Sequence, residues 1–156
     1  MIELGCGDGR WIIALAKKFR CECVGIEIDE DRLDLARQML EKEEGLAMDD
    51  DDDDDNCAIS FHSMDIFEYL EQMEIEGGRD LIVMYLFRDA MKRISWILKE
   101  KGVVSSGSST EEEDSGCSSK SAIQLLCIGF ILPGFVPVWQ AYVDGIRVYL
   151  YHARYC

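Results

Sequence analysis

The sequence has no apolar run approaching the ~20 residues that a membrane-spanning helix needs. Its only two histidines, His62 and His152, are too far apart in sequence to suggest a zinc site. Its seven cysteines have no paired metal-binding spacing, and their odd number favours free thiols in a reducing, intracellular compartment. We therefore expect no membrane span, no metal site and no disulfide-stapled scaffold.

Positive charge is also scarce, with 16 Lys and Arg residues against 31 Asp and Glu residues and a net charge of −15. No Lys/Arg cluster of the kind used in nucleic-acid binding is present, so a nucleic-acid partner is not expected. Most of the excess comes from seven consecutive aspartates at 49–55 and four acidic residues at 111–114. Without these two runs the net charge is about −4, an ordinary value for a soluble domain.

Two insertions surround those acidic runs, at about 46–57 and 105–121. Neither contains enough apolar residues to offset the entropy lost on ordering, so both are predicted to be disordered. The whole chain, 156 residues with 48% hydrophobic content, suits one core. We expect a single domain over 1–156.

What the sequence does contain is a glycine motif at its start. Residues 3–9 read Glu-Leu-Gly-Cys-Gly-Asp-Gly, directly after an apolar Met-Ile pair. A strand that breaks into alternating glycines and then opens a helix is typical of a nucleotide-binding turn, although an ordinary turn remains the alternative. A dinucleotide site would place its third glycine at position 10, where this chain has Arg10. Glycines 5, 7 and 9 behind Glu3 instead resemble motif I of the seven-stranded S-adenosylmethionine (SAM) methyltransferases.

An alternation of strands and helices follows the motif. Apolar patterning predicts helices at 11–20, 30–44 and 66–73, with strands at 21–28, 58–62 and 79–86. Glu27 lies late in the second strand, 18 positions beyond Gly9, where Rossmann-like units place the acidic residue that accepts ribose hydroxyls. The alternative is a carboxylate that merely ends a strand in solvent. Asp65 resembles the methyltransferase residue that takes the adenine amino group, and it is equally suited to cap the following helix.

The last 35 residues add a second signal. Runs at 138–143 and 146–151 are joined by Asp144-Gly145, a pair suited to a two-residue hairpin turn, and the run at 123–131 precedes them as strand five. The expected fold is α/β, a Rossmann-like three-layer sandwich whose mostly parallel sheet ends in an antiparallel β-hairpin.

A narrower resemblance rests on Gly-Asp-Gly-Arg at 7–10, Tyr-Leu at 85–86, Gly-Phe-x-x-Pro-Gly at 129–134 and Val-Asp-Gly-Ile-Arg-Val-Tyr-Leu-Tyr at 143–151. Together these look like the lysine methyltransferases of the mitochondrial ATP synthase c subunit and the adenine nucleotide translocase. The resemblance implies a protein substrate with a target lysine, SAM as cofactor, and a mitochondrial location. It also implies that the chain lacks the usual N-terminal segment of such proteins. By this resemblance Tyr85 lines the methyl-transfer channel, and SAM is held by Glu3, Gly5, Gly7, Gly9, Glu27 and Asp65.

The sequence leaves the identity of the methyl acceptor open. The fourth strand ends Met-Tyr-Leu-Phe at 84–87 and lacks the Asn/Asp-Pro-Pro-Tyr/Phe signature of base-amino methyltransferases, which favours protein over adenine as the acceptor. Phe135 and Trp139 would line the acceptor side or pack as core. Methylation of a small molecule or RNA, and a non-catalytic SAM-fold binding protein, are the alternatives.

Overall fold

The computed structural model describes residues 1–44, 58–73, 81–105 and 122–155. The predicted insertion at 46–57, and the one at 105–121 apart from Ser105, therefore lie outside the described residues. The chain divides into two compact units, Met1–Ile66 and Phe67–Cys156.

The first unit is a parallel three-stranded arrangement. Its elements are β1 (Ile2–Leu4), α1 (Arg10–Phe19), β2 (Cys23–Glu27), α2 (Glu30–Glu44) and β3 (Ile59–Ser63). β1 and β3 both pair with β2 in parallel, so that Leu4 lies opposite Ile26 and Glu27 lies opposite Ser63. Because parallel strands end at one edge, the glycine turn, Glu27 and the residues after β3 all leave the strands on the same side.

Helix α1 forms because its apolar residues recur on one face. Ile12, Ile13 and Ala16 are buried there and cluster with Cys23 of β2. Arg20 ends the helix in a left-handed conformation, φ 49°, and its backbone N–H donates to the carbonyl of Ala16. The helix that we predicted at 11–20 is confirmed with each bound moved by one residue.

The second unit holds the C-terminal strands. Its elements are α3 (Ile66–Gln72), which begins at the boundary, β4 (Leu81–Met84), α4 (Arg88–Glu100), β5 (Val103–Ser105), β6 (Ala122–Ile128), β7 (Trp139–Val143) and β8 (Ile146–Tyr155). β4 and β6 are parallel, whereas β6 and β8 are antiparallel. The other side of β8 pairs with β7 along its first half and with β5 at its end, both antiparallel.

The predicted hairpin is confirmed at Asp144-Gly145, whose φ angles of 47° and 83° are both left-handed, as a two-residue turn of this kind requires. Strand five of the predicted series is β6, which ends at Ile128, earlier than the predicted 131. Residues 103–105 form a separate short strand, because the ten-residue β8 extends beyond β7 and offers its end for pairing. The parallel strands followed by antiparallel C-terminal strands confirm the α/β Rossmann-like fold.

Two hydrogen bonds fix the segment between β6 and β7. The hydroxyl of Tyr151, which is completely buried, accepts the N–H of Leu132 at 2.9 Å, and the hydroxyl of Ser95 on α4 donates to the carbonyl of Pro133. The 129–134 turn is thereby fastened to β8 and to α4. No helix among the described residues is both long and apolar enough to cross a membrane.

Candidate functional site

The glycine turn has the backbone that its sequence predicts. Gly5, Gly7 and Gly9 have φ angles of 74°, 55° and 75°, a region that residues with a Cβ rarely adopt. The N–H groups of Gly5 and Cys6 both donate to the carbonyl of Ile26, at 2.8 and 3.0 Å. These bonds hold the turn against the end of β2, and helix α1 begins immediately after Gly9.

The third glycine is required by packing. A Cβ on Gly9 would lie 2.8 Å from the Cβ of Ala36 and 3.1 Å from the ring of Phe61. By contrast, a Cβ on Gly7 would make only an ordinary contact, 3.5 Å from the guanidinium of Arg32. Gly9 therefore allows α2 and β3 to approach the turn. At Gly7 there is room for a Cβ, and glycine is favoured by the left-handed φ angle.

Glu27 is tied to the turn by its carboxylate. Its Oε2 accepts the N–H of Gly7 at 3.0 Å, and its Oε1 accepts the N–H groups of Ile28 and Asp29 at 2.9 and 3.1 Å. A carboxylate has about four acceptor positions, so one remains for a ribose hydroxyl without any rearrangement. Accepting both hydroxyls would require release of one of these three N–H groups.

Glu3 carries a buried carboxyl group. Its side chain is only 3% exposed, and its Oε2 has no hydrogen-bond partner among the described residues. Burial raises the pKa of Glu3 to about 7, and the negative charge of Asp8 acts in the same direction, while a hydrogen bond from the N–H of Ile12 opposes them. A buried carboxyl group with an unsatisfied oxygen is suited to a cationic ligand.

Asp65 follows β3 and directly precedes α3, with a half-buried side chain. The N–H of Met64 donates to the carbonyl of Glu27 at 3.0 Å, so the chain leading to Asp65 is fastened to the end of β2. The six predicted cofactor residues thus lie in one unit and surround the ends of its three strands. Both the adenine and the helix-cap roles of Asp65 stay predictions.

Tyr85 belongs to the second unit, directly after β4. It is 53% exposed, and a Cβ on Gly129 would lie 3.5 Å from its Cε2 atom, so the ring lies against the glycine that follows β6. Of the two other acceptor-side candidates, Phe135 is buried and packs edge-on against Tyr151, whereas Trp139 is half exposed. Phe135 is therefore a core residue.

Gly129 also lines a cavity of about 460 Å³ that the sequence reasoning missed. Three cations line it, Arg88 and Lys92 from α4 and Arg147 from β8, together with Phe130 and Tyr149. The helix that carries two of these cations was not among the predicted elements. Its apolar residues recur at helical spacing and are buried, at Met91, Ile94, Ile97 and Leu98, so periodicity would have found the helix but not the cavity.

The sequence model of the methyltransferase domain family matches residues 1–102, which is more than half of the chain. This chain belongs to that family. The methyltransferase domain is SAM-dependent, as the glycine spacing predicts, and the match includes all six predicted cofactor residues as well as Tyr85. A comparison with curated proteins finds no match.

Solved structures agree on the fold. An RNA methyltransferase from Salinibacter ruber, solved with S-adenosyl-L-homocysteine, is 22% identical, with a TM-score of 0.65 over 97% of this chain and 78% of that chain. A conserved hypothetical protein from Streptococcus pyogenes is 11% identical, with a TM-score of 0.61 over 97% of this chain and 83% of that chain. TrmK of M. capricolum, solved with S-adenosyl-homocysteine, is 12% identical, with a TM-score of 0.56 over 99% of this chain and 61% of that chain.

The residues of the methyltransferase domain fit SAM. The unsatisfied Oε2 of buried Glu3 suits a cationic group of the cofactor, and the fixed carboxylate of Glu27 suits a ribose hydroxyl. The left-handed glycines remove side chains from the turn where a ligand would approach. These residues would bind and orient the cofactor. The methyl group itself, activated on a sulfonium, is what SAM supplies when bound.

Proposed function

We propose that this methyltransferase domain transfers the methyl group of SAM to a lysine side chain of a protein. One observation carries the proposal. Two segments on which the lysine-methyltransferase resemblance rests, 129–134 and 143–151, line one cavity, and Tyr85 of the third segment, 85–86, lies beside it. The Tyr85 ring lies against Gly129, and Gly129 lines the cavity together with Arg147 and Tyr149.

In this proposal, the amine of the substrate lysine lies against Tyr85. The lysine amine has a pKa near 10.4 in water and reacts only when neutral, so the site has to favour loss of its proton. The exposed Tyr85 ring offers an apolar surface that desolvates the amine and disfavours the ammonium form. Alignment of the nitrogen with the methyl group then supplies most of the acceleration.

The protein substrate, the absence of a nucleic-acid partner and the mitochondrial location belong to this proposal. The net charge of −15 supports a protein over a polyanion, because long-range repulsion opposes the approach of nucleic acid. The basic cavity favours one second candidate, methylation of RNA or of a small anionic molecule, since three cations also suit a phosphate. A non-catalytic binding role is the remaining alternative.

The test is transfer of a radiolabelled methyl group from SAM to a mitochondrial extract. The proposal predicts label in protein bands that survives nuclease treatment, is lost on proteolysis, and is recovered as methyl-lysine after acid hydrolysis. Label in RNA or in small metabolites alone would replace the proposal with the second candidate. Binding of SAM without transfer to any fraction would favour the non-catalytic role.

A further inference from the structure

The cavity beside Tyr85 concentrates positive charge in an otherwise acidic chain. Arg88 is the first residue of α4, Lys92 lies one turn further along, and Arg147 is the second residue of β8. The N–H of Gly129 donates to the carbonyl of Arg147 at 2.7 Å, which fixes the Arg147 backbone beside the loop after β6. The Arg88 guanidinium lies 5.8 Å from the centre of the Phe130 ring.

Two of these cations lack a counter-charge among the described residues. Within the described ranges, neither Arg88 nor Arg147 forms an ion pair. Lys92 pairs with Asp89 at 3.0 Å, but that carboxylate is 92% exposed and its charge is screened by water. The cavity therefore retains positive charge that an anion can neutralise.

A second cavity continues this surface. It measures about 400 Å³, is lined by Gln140 and Tyr142 of β7, and shares Arg147 and Tyr149 with the first cavity. The strand register explains the shared wall, because Tyr142 lies opposite Arg147 and Gln140 opposite Tyr149. A continuous surface thus runs from the loop beside Tyr85, past Arg147, to the side chains of β7.

Such a surface suits an extended peptide segment. Successive residues of an extended chain are about 3.3–3.6 Å apart, so a peptide spanning two adjoining cavities places several side chains along them. An ammonium group would be repelled inside the first cavity, and a lysine amine therefore fits at its Tyr85 border. The cations suit a carboxylate carried on a neighbouring residue of the same peptide.

We propose that Arg147, with Arg88 and Lys92, binds an acidic side chain that lies a few residues from the target lysine in the protein substrate. This inference rests on the proposed lysine methylation and specifies its substrate. We favour a carboxylate over the phosphates of RNA because the chain as a whole is acidic. Its net charge repels a polyanion at long range, whereas a single carboxylate interacts with the three cations at short range.

The test uses short peptides with a central lysine and one Glu, Gln or Lys placed in turn at successive flanking positions. At the preferred position we expect kcat/KM for the Glu peptide to exceed that for the Gln peptide by at least about tenfold, the lower end for a charge-assisted hydrogen bond. Arg147→Gln should abolish this preference and leave SAM affinity unchanged. Arg154→Gln, an exposed arginine of the same strand outside both cavities, is the matched control and should keep the preference.

Arg88→Gln tests the same site from α4 if Arg147→Gln unfolds, and it should reduce the preference in the same direction. Equal kcat/KM for Glu and Gln peptides at every position would overturn the inference, as would a preference that persists in both variants. Either result would leave the proposed methylation of lysine unaffected. If no lysine peptide is labelled and label enters only RNA, the proposed function fails and this inference fails with it.

Discussion

Replacement of Glu3 by glutamine tests whether the carboxyl group is as deeply buried as the structure shows. Burial raises its pKa from 4.5 to about 7 in the folded protein. Each pKa unit corresponds to 1.36 kcal/mol, so ionised Glu3 destabilises the folded protein by about 3 kcal/mol at high pH. Glutamine has nearly the same shape and keeps an oxygen for the Ile12 N–H, while it cannot ionise.

The sign of the pH dependence follows from the raised pKa. Between pH 4.5 and about 7 the folded protein holds the Glu3 proton more tightly than the unfolded chain does, so the stability of the parent falls as pH rises through this interval. Above about pH 7 the destabilisation by ionised Glu3 no longer changes with pH. Glu3→Gln should therefore match the parent near pH 4.5 and exceed it by up to about 3 kcal/mol above pH 7.

Urea unfolding at a series of pH values measures this difference directly, since all other titrating groups are shared and cancel between the two proteins. Saturating SAM should narrow the gap, because a cationic ligand favours the ionised carboxylate that only the parent has. A stability difference that is the same at every pH would refute the raised pKa of buried Glu3.

Three further predictions concern substitutions of Gly9, Tyr151 and Tyr85. Gly9→Ala should lower the free energy of unfolding by about 2–4 kcal/mol, because alanine is strained in the left-handed conformation and its Cβ would lie 2.8 Å from that of Ala36. Gly145→Ala is the control: its φ is 83° and no atom lies near the added Cβ, so only the left-handed strain should lower its stability. Tyr151→Phe should cost about 1–3 kcal/mol because it leaves the buried Leu132 N–H unpaired, and an unchanged melting curve would contradict the 2.9 Å bond. Tyr85→Ala should lower kcat far more than it weakens SAM binding. Activity retained in Tyr85→Phe would assign the effect to the ring, and parent rates in both variants would make Tyr85 structural.

Local signals explain why much of the fold follows from the sequence. Helix α2 has the predicted bounds, Glu30–Glu44, and the carboxylate of Asp29 accepts the N–H of Arg32 at its start, at 3.3 Å. The hairpin follows from Asp144-Gly145 because few other residue pairs adopt two left-handed conformations in succession. The backbone of the glycine turn follows from the sequence for the same reason, since residues with a Cβ rarely adopt three left-handed conformations within five positions.

Features that depend on distant residues were not predictable. Three residues such as Val103–Ser105 make a strand only because the end of β8 happens to lie beside them. The basic cavity combines Arg88 and Lys92 with Arg147, which is more than fifty positions away in sequence, so no single segment reveals it. The complete burial of Glu3 also depends on packing that no periodicity reveals. Tertiary structure, rather than local pattern, creates these parts of the candidate site.

Calorimetric titration with SAM tests the central claim, that the glycine turn and the carboxylates beside it hold the cofactor. The account predicts one SAM bound per chain and an affinity reduced by about 10- to 150-fold in Glu27→Ala, because a hydrogen bond to a charged group contributes about 1.5–3 kcal/mol. Asp34→Ala, which removes an exposed carboxylate of α2, is the matched control and should bind like the parent. Undiminished affinity in a folded Glu27→Ala protein, or no SAM binding by the parent, would contradict the account.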